Sequence, residues 1–158
     1  MTDAAEERHD GESDDRILDR LRIQDLVLAY AEAVDAQDAA AVAELFTADA
    51  VFRAYDRPKG EARGRPEVEV LIGKLVGSFR ATLHHVSGPR IEFDSPTHAA
   101  GSVALHAWHS FRDDRPDGLL WGRYHDRYVR SPEGWRFAAR TLVVAGNRDF
   151  DFPWITTD

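Results

Sequence analysis

The apolar positions of this chain fall into two regimes that meet near residue 80. In the first half they recur every three to four residues. Ile23, Leu26, Val27, Tyr30 and Val34 form one face of a helix running to about Asp35. Ser13, followed by Asp14 and Asp15, supplies a capping hydroxyl and acids at the positive end of that helix. Asp38 caps a short second helix through Val42, Leu45 and Phe46. Thr47-Ala48-Asp49 then turns the chain into a strand from Val51 to Tyr55. Residues 56–64 form a polar loop with Pro58, Gly60 and Gly64. Pro66 suits the first turn of a third helix, and Val68, Leu71, Ile72, Leu75 and Phe79 continue the helical stripe.

Beyond residue 80 the period drops to two. The predicted strands are Arg80–Ser87, Arg90–Asp94, His98–Arg112, Leu119–Arg130 and Trp135–Ala145. Gly88-Pro89, Ser95-Pro96, Asp113–Gly118 and Ser131–Gly134 separate them as turns. Helices segregated from a meander of strands define an α+β class. The chain lacks the strand-helix-strand alternation of a dinucleotide-binding or barrel enzyme. No internal repeat and no interdomain linker interrupts it.

Composition narrows the chemistry. The 158 residues suit one domain, and 43% are apolar, enough for a core without staples. The absence of cysteine excludes disulfides, a thiol nucleophile, thiolate zinc sites and iron–sulfur clusters. No apolar run reaches the roughly 18 residues of a membrane span, and no secretory signal is visible, so the expectation is a cytoplasmic protein without a membrane partner. The net charge of −8 argues against a nucleic-acid partner. It is also unevenly placed. Residues 1–15 hold seven acids against one base and read as a disordered tail, leaving a nearly balanced domain over 16–146 and a C-terminal segment over 147–158. Phe150, Phe152, Pro153, Trp154 and Ile155 make that segment aromatic enough to cover a pocket or an interface.

Chemistry is thereby confined to His, Asp, Tyr and Arg. Strand alternation sends His84 and His85 to opposite faces, and likewise His106 and His109 unless a bulge intervenes. No metal-binding face results, and no metal or cofactor is expected. Thr82, His84 and Val86 share a face. If that face meets the first helix, Asp35 can pair with His84, and a carboxylate on an imidazole fixes its tautomer for work as a general base. Taken singly, Asp35 also fits a surface acid at a helix end, and Tyr30 and His84 fit ordinary core residues. Gly122, Tyr124, Asp126 and Tyr128 share one face of their strand; Arg123, His125 and Arg127 share the other. Polar character on both faces suggests a lined cavity on one side and a subunit interface on the other. Arg140 falls in the phase opposite Trp135 and Phe137. Facing inward it would anchor an anionic or carbonyl oxygen, and facing outward it is ordinary surface.

The ordered set Ile23-Gln24-Asp25-Leu26, Tyr30, Val34-Asp35, Asp38, Leu45-Phe46-Thr47 and Asp49-Ala50-Val51-Phe52 resembles the N-terminal signature of SnoaL-like domains. Gly64-Arg65, Thr82-Leu83-His84-His85-Val86, Gly122-Arg123-Tyr124, Asp126-Arg127-Tyr128, Gly134-Trp135-Arg136-Phe137 and Arg140 continue the match in order. The resemblance covers roughly residues 16–145. It implies the cone-shaped α+β barrel of the nuclear-transport-factor-like superfamily, a strongly curved, mostly antiparallel sheet wrapped by three helices around a pocket. By that resemblance Asp35 and His84 fall where scytalone dehydratase, bile-acid 7α-dehydratase and hexachlorocyclohexane dehydrochlorinase carry an Asp–His dyad. Tyr30 matches a tyrosine of both dehydratases. His109 falls near a second polar catalytic position, a role a gap would move to His106. Tyr124 and Arg140, with His106, Asp126, Phe52 and Tyr55, are the implied substrate contacts. The implied activity is a cofactor-independent lyase of the dehydratase type acting on a small hydrophobic or cyclic molecule. The alternatives are an isomerase or polyketide-type cyclase with the same dyad, and a non-catalytic binding or accessory protein. The superfamily habit implies a homodimer or homotrimer.

Overall fold

The helical stripe of the first half becomes α1 (Asp14–Asp35), which buries Ile23, Leu26, Val27, Tyr30 and Val34. The structure is a computed structural model that describes residues 13–54 and 60–150. Asp14 and Asp15, read both as the end of the acidic tail and as the acids that open the helix, form the first turn of α1, and the Ser13 hydroxyl makes no capping hydrogen bond. The rest of the tail through residue 12, Tyr55, and the segment Phe152-Pro153-Trp154-Ile155 lie outside the described residues.

Asp38 caps α2 (Ala39–Glu44) by accepting the Ala41 N–H at 2.9 Å. The chain then enters β1 (Phe46–Arg53) earlier than the predicted turn allows. Thr47-Ala48-Asp49 lie inside β1, where the pairing with the last strand is irregular between Phe46 and Val51. The Thr47 hydroxyl there donates to the Asp49 carboxylate at 2.9 Å, a local bond that sequence reads equally well as a turn. The polar loop conceals β2 (Glu61–Arg63), held to β1 by three paired residues and an Arg53–Glu61 contact of 2.6 Å. Only Ala62 of β2 is buried, so no apolar pattern marks it. α3 (Arg65–Val76) ends at Gly77, and Phe79, counted by period with that helix, opens the next strand.

The strands that follow are β3 (Phe79–Val86), β4 (Arg90–Phe93), β5 (His98–Phe111), β6 (Gly118–Ser131) and β7 (Gly134–Arg148). The sheet order is β2-β1-β7-β6-β5-β3, and β4 pairs with the first part of β5 while β3 pairs with the second. Every pairing is antiparallel except β1 with β7. The architecture is α+β with a curved, unclosed sheet of seven strands, and the helices lie in the N-terminal half.

A buried acid ties α1 to the hairpin end of β6 and β7. Asp19 is 3% exposed and accepts the Trp135 indole N–H at 3.0 Å, with Arg130 and Arg22 each 3.2 Å away. Buried carboxylates need such partners, and here they fix where α1 crosses the strands.

Candidate functional site

The site is organised where α1 ends. Asp35 is the last residue of the helix, and Gln37 turns the chain sharply with φ 58°. The Gln37 amide donates to the Phe79 carbonyl at 3.0 Å, fastening the helix end to the start of β3. Asp35 reaches β3 through three further hydrogen bonds. One carboxylate oxygen lies 2.6 Å from His84 Nδ1 and accepts the Thr82 hydroxyl at 2.8 Å, and the other accepts the His84 backbone N–H at 2.8 Å. Thr82 and His84 occupy the same face of β3, so alternation alone brings both to the carboxylate. Thr82 was not among the candidate site residues; its place two before His84 is the signal that identifies it.

Burial works to raise the Asp35 carboxyl, but hydrogen bonds from the His84 ring and backbone outweigh it, with the His84 charge and the Thr82 hydroxyl adding to them. Asp35 therefore ionises below the usual carboxylate range and is charged at neutral pH. The His84 side chain is only 9% exposed and lines an apolar cavity. With Nδ1 committed to Asp35, Nε2 is the ring nitrogen left for a ligand.

Tyr30, Phe52 and His109 line the same cavity. Burial pushes the Tyr30 phenol up to about 12 against the lowering influence of Arg140, so it holds its proton and can donate it in a hydrogen bond. His109 is packed between Phe79, at 4.7 Å between ring centroids, and Phe150, at 4.4 Å. Its Nδ1 is buried without a hydrogen-bond partner among the described residues. Burial, and secondarily the neighbouring His84, lower its pKa to about 3, against an opposing hydrogen bond with the Gly118 backbone. The ring is neutral. It can exchange hydrogen bonds with a ligand but does not serve as a cationic acid.

That neutrality has a measurable consequence. Between about pH 3 and 6.5 the unfolded chain binds a proton at His109 that the folded protein refuses. Its contribution to stability is complete above pH 6.5 and is lost as pH falls toward 3, at up to about 1.4 kcal/mol per pH unit. Urea unfolding of His109→Gln should show a flatter loss between pH 6.5 and 4 than the parent. Equal slopes would mean that His109 is not held neutral by burial.

Three of the implied substrate contacts lie behind the cavity. Arg140 is fully buried and takes Asp126 in a two-pronged ion pair, with N···O distances of 2.9 and 2.8 Å. Its guanidinium sits 4.1–4.2 Å from the ring centroids of Tyr30, Tyr124 and Phe137. Tyr128 donates to the same Asp126 at 2.8 Å. Arg140 thus faces inward, as one of the two open readings had it, but its anion is Asp126. None of Tyr124, Asp126 and Arg140 is among the cavity-lining residues. Strict alternation separates Arg140 from Phe137, but the β6–β7 pairing slips between Arg127 and Tyr128 and brings both inward.

His106 is on the outer face. It pairs across strands with His85 and stacks on Trp121 at 5.4 Å, so the gap that would have moved His109's role to it does not arise. Phe150 reaches the cavity from beyond β7, over Gly118, where a β-carbon would come within 2.8 Å of its ring. Among the described residues no group of three or more His, Asp or Glu side chains could hold a metal ion. No helix among them is long and apolar enough to cross a membrane.

An unclosed, curved sheet with helices over it and a polar pair at the wall of an apolar cavity define a pocket protein of the nuclear-transport-factor-like fold. The chain belongs to the SnoaL-like domain family, whose model matches residues 15–141. It is 31% identical over 126 residues to an uncharacterized protein of Mycobacterium tuberculosis strain H37Rv, covering 78% of this chain and 84% of that one. Among solved structures, a protein from Novosphingobium aromaticivorans proposed to be a scytalone dehydratase superposes with a TM-score of 0.83 at 28% identity, over 89% of this chain and 93% of that one. A hexachlorocyclohexane dehydrochlorinase from Novosphingobium barchaimii shares the fold, with a TM-score of 0.76 at 20% identity, over 91% of this chain and 97% of that one.

Proposed function

We propose that this protein is a cofactor-independent lyase of the dehydratase type. The observation that carries the reading is the 2.6 Å contact between Asp35 and His84 Nδ1 at the wall of an apolar cavity. In this reading His84 Nε2 removes a proton from a carbon next to a carbonyl. The freed electron pair forms the carbon–carbon double bond as the bond to a β-hydroxyl breaks. The imidazolium returns its proton to the departing hydroxide, which leaves as water, and the base is restored. Asp35 orients the imidazole and balances its transient charge. Tyr30 holds its proton and donates to the carbonyl oxygen as negative charge develops there, while neutral His109, whose ring N–H goes to the Gly118 carbonyl, offers Nδ1 as an acceptor to the hydroxyl of the substrate. The apolar walls keep these interactions out of water, where they would be weaker.

The solved relatives support elimination chemistry: one is proposed to be a dehydratase and another is a dehydrochlorinase. The direct test is mass spectrometry of small cyclic β-hydroxy ketones incubated with the protein in deuterated water. A protein-dependent loss of water, 18 mass units apart from incorporated deuterium, is the expected result. A product of unchanged mass, apart from incorporated deuterium, would assign isomerisation or cyclisation with the same pair of residues. No proton exchange and no product across the series would leave the pocket as a binding site alone.

A further inference from the structure

The face of the sheet turned away from the cavity carries two histidines that the proposed reaction does not use. Alternation sends His84 inward and His85 outward on β3, and His109 inward and His106 outward on β5. The register of the two strands then makes His85 and His106 direct cross-strand partners. Their ring centroids lie 6.3 Å apart, with planes at 65°. Both residues are exposed, so their ring nitrogens meet solvent. His106 also stacks on Trp121, its partner on β6, with centroids 5.4 Å apart and planes within 15°. That stack occupies a face of the imidazole. The nitrogen lone pairs that bind metals lie in the ring plane, so Trp121 orients His106 without consuming a ligand position.

The spacing suits a shared ion. A nitrogen–metal bond of about 2.0–2.1 Å puts the ion roughly 3.2 Å from the ring centre. Two imidazoles on one ion therefore have centres about 4.5–6.4 Å apart, depending on whether they bind at right angles or opposed. The His85–His106 separation of 6.3 Å falls inside that range. The rotation that aims both nitrogens at one point is open to exposed side chains. The surroundings also choose the metal. The cross-strand neighbours of the pair are each other and Trp121, none of them a carboxylate, and Arg123 follows two residues after Trp121 on the same face. Mg²⁺ and Ca²⁺, which depend on oxygen ligands, gain nothing there. Imidazole suits Cu²⁺, Ni²⁺ and Zn²⁺, with Cu²⁺ the tightest of the three.

We infer that His85 and His106 form a two-point site for a divalent transition metal of this kind on the outer face of the sheet. Water fills the remaining coordination positions. Once one imidazole holds the ion, the second meets it at high effective concentration, which is what separates the pair from a lone surface histidine. The site stands apart from Asp35 and His84 and does not rest on the elimination reading.

Isothermal titration calorimetry with copper(II) chloride tests it, on the full chain without a polyhistidine tag. The variants are His85→Gln, His106→Gln, His84→Gln and His125→Gln. His125 is exposed on the same face, with Ser102 and Thr141 as its cross-strand partners, and measures what a lone imidazole holds. The wild-type protein should bind Cu²⁺ saturably, and excess Mg²⁺ should not displace it. His85→Gln and His106→Gln should each weaken binding at least about tenfold. His84→Gln and His125→Gln should bind as wild type does. Tryptophan fluorescence gives a second readout. Bound Cu²⁺ should quench emission, and Trp121→Phe should lose most of that quenching while keeping the affinity. Undiminished affinity in His85→Gln or His106→Gln, a loss that follows His84→Gln or His125→Gln instead, or no saturable binding of Cu²⁺ would overturn the inference. Quenching that survives Trp121→Phe unchanged would place the ion elsewhere and overturn it as well.

Discussion

His84→Gln should lower kcat/KM by at least about 10³-fold while leaving the fold intact. A positioned general base contributes roughly 10²–10⁴-fold, and in the proposed reaction the same nitrogen both takes the proton and returns it. Glutamine can still hydrogen-bond to Asp35 but cannot accept a proton at neutral pH. The backbone N–H of residue 84, which donates to the second Asp35 oxygen, is untouched, so α1 stays fastened to β3. Circular dichroism and the thermal midpoint should therefore remain close to the parent. KM should change little, because the cavity walls that hold the substrate are unaltered. Activity within tenfold of wild type would remove His84 from the role of base.

Asp126→Ala should cost about 3–5 kcal/mol of stability, the scale expected when one partner of a buried ion pair is removed. Arg140 is fully buried, and Asp126 takes two of its N–H groups while a third nitrogen, Nη1, already has no partner. Burial works against the Arg140 charge, and the Asp126 carboxylate more than offsets it, keeping the guanidinium protonated. Without Asp126 that charge faces three aromatic rings alone, and the Tyr128 hydroxyl loses its acceptor. For a chain of this size the loss corresponds to a drop in Tm of roughly 10 °C. Replacing both partners, Asp126→Leu with Arg140→Met, should recover much of it, because the penalty comes from a stranded charge. Thermal and urea unfolding of the single and double variants form the cycle that measures this. A loss below about 1 kcal/mol in Asp126→Ala would show that the pair is not a structural anchor.

The parts of this architecture that follow from local periodicity were legible in the sequence. The stripe from Ile23 to Val34 gave α1, and strand phase put Thr82 and His84 on one face, while the meeting of that face with Asp35 depended on how α1 packs. The same alternation separated His106 from His109, but which of the two lies inside is set by the packing of β5, and it is His109. What depended on pairing between strands was not legible. Arg140 faces inward because of a slip in the β6–β7 register, which no single strand encodes. β2 was hidden because only Ala62 within it is buried. Asp19 carried no signal, since its partners Trp135 and Arg130 lie more than a hundred residues away. Thr47 to Asp49 misled because a local hydroxyl–carboxylate bond mimics a turn inside a strand.

The proposed reaction centre and the walls that would select a substrate come from different parts of the chain. Asp35, Thr82 and His84 are set by the end of α1 and one face of β3. The apolar lining comes largely from elsewhere, with Ile72, Leu75 and Val76 on α3, Leu120 on β6, Leu142 on β7, and Phe150 beyond it. A substitution at Leu75 or Leu142 can reshape the cavity without moving any atom that orients the imidazole. Such a division lets the lining change shape while the hydrogen bonds that hold the imidazole stay as they are. One hinge of hydrogen bonds can thereby serve many specificities.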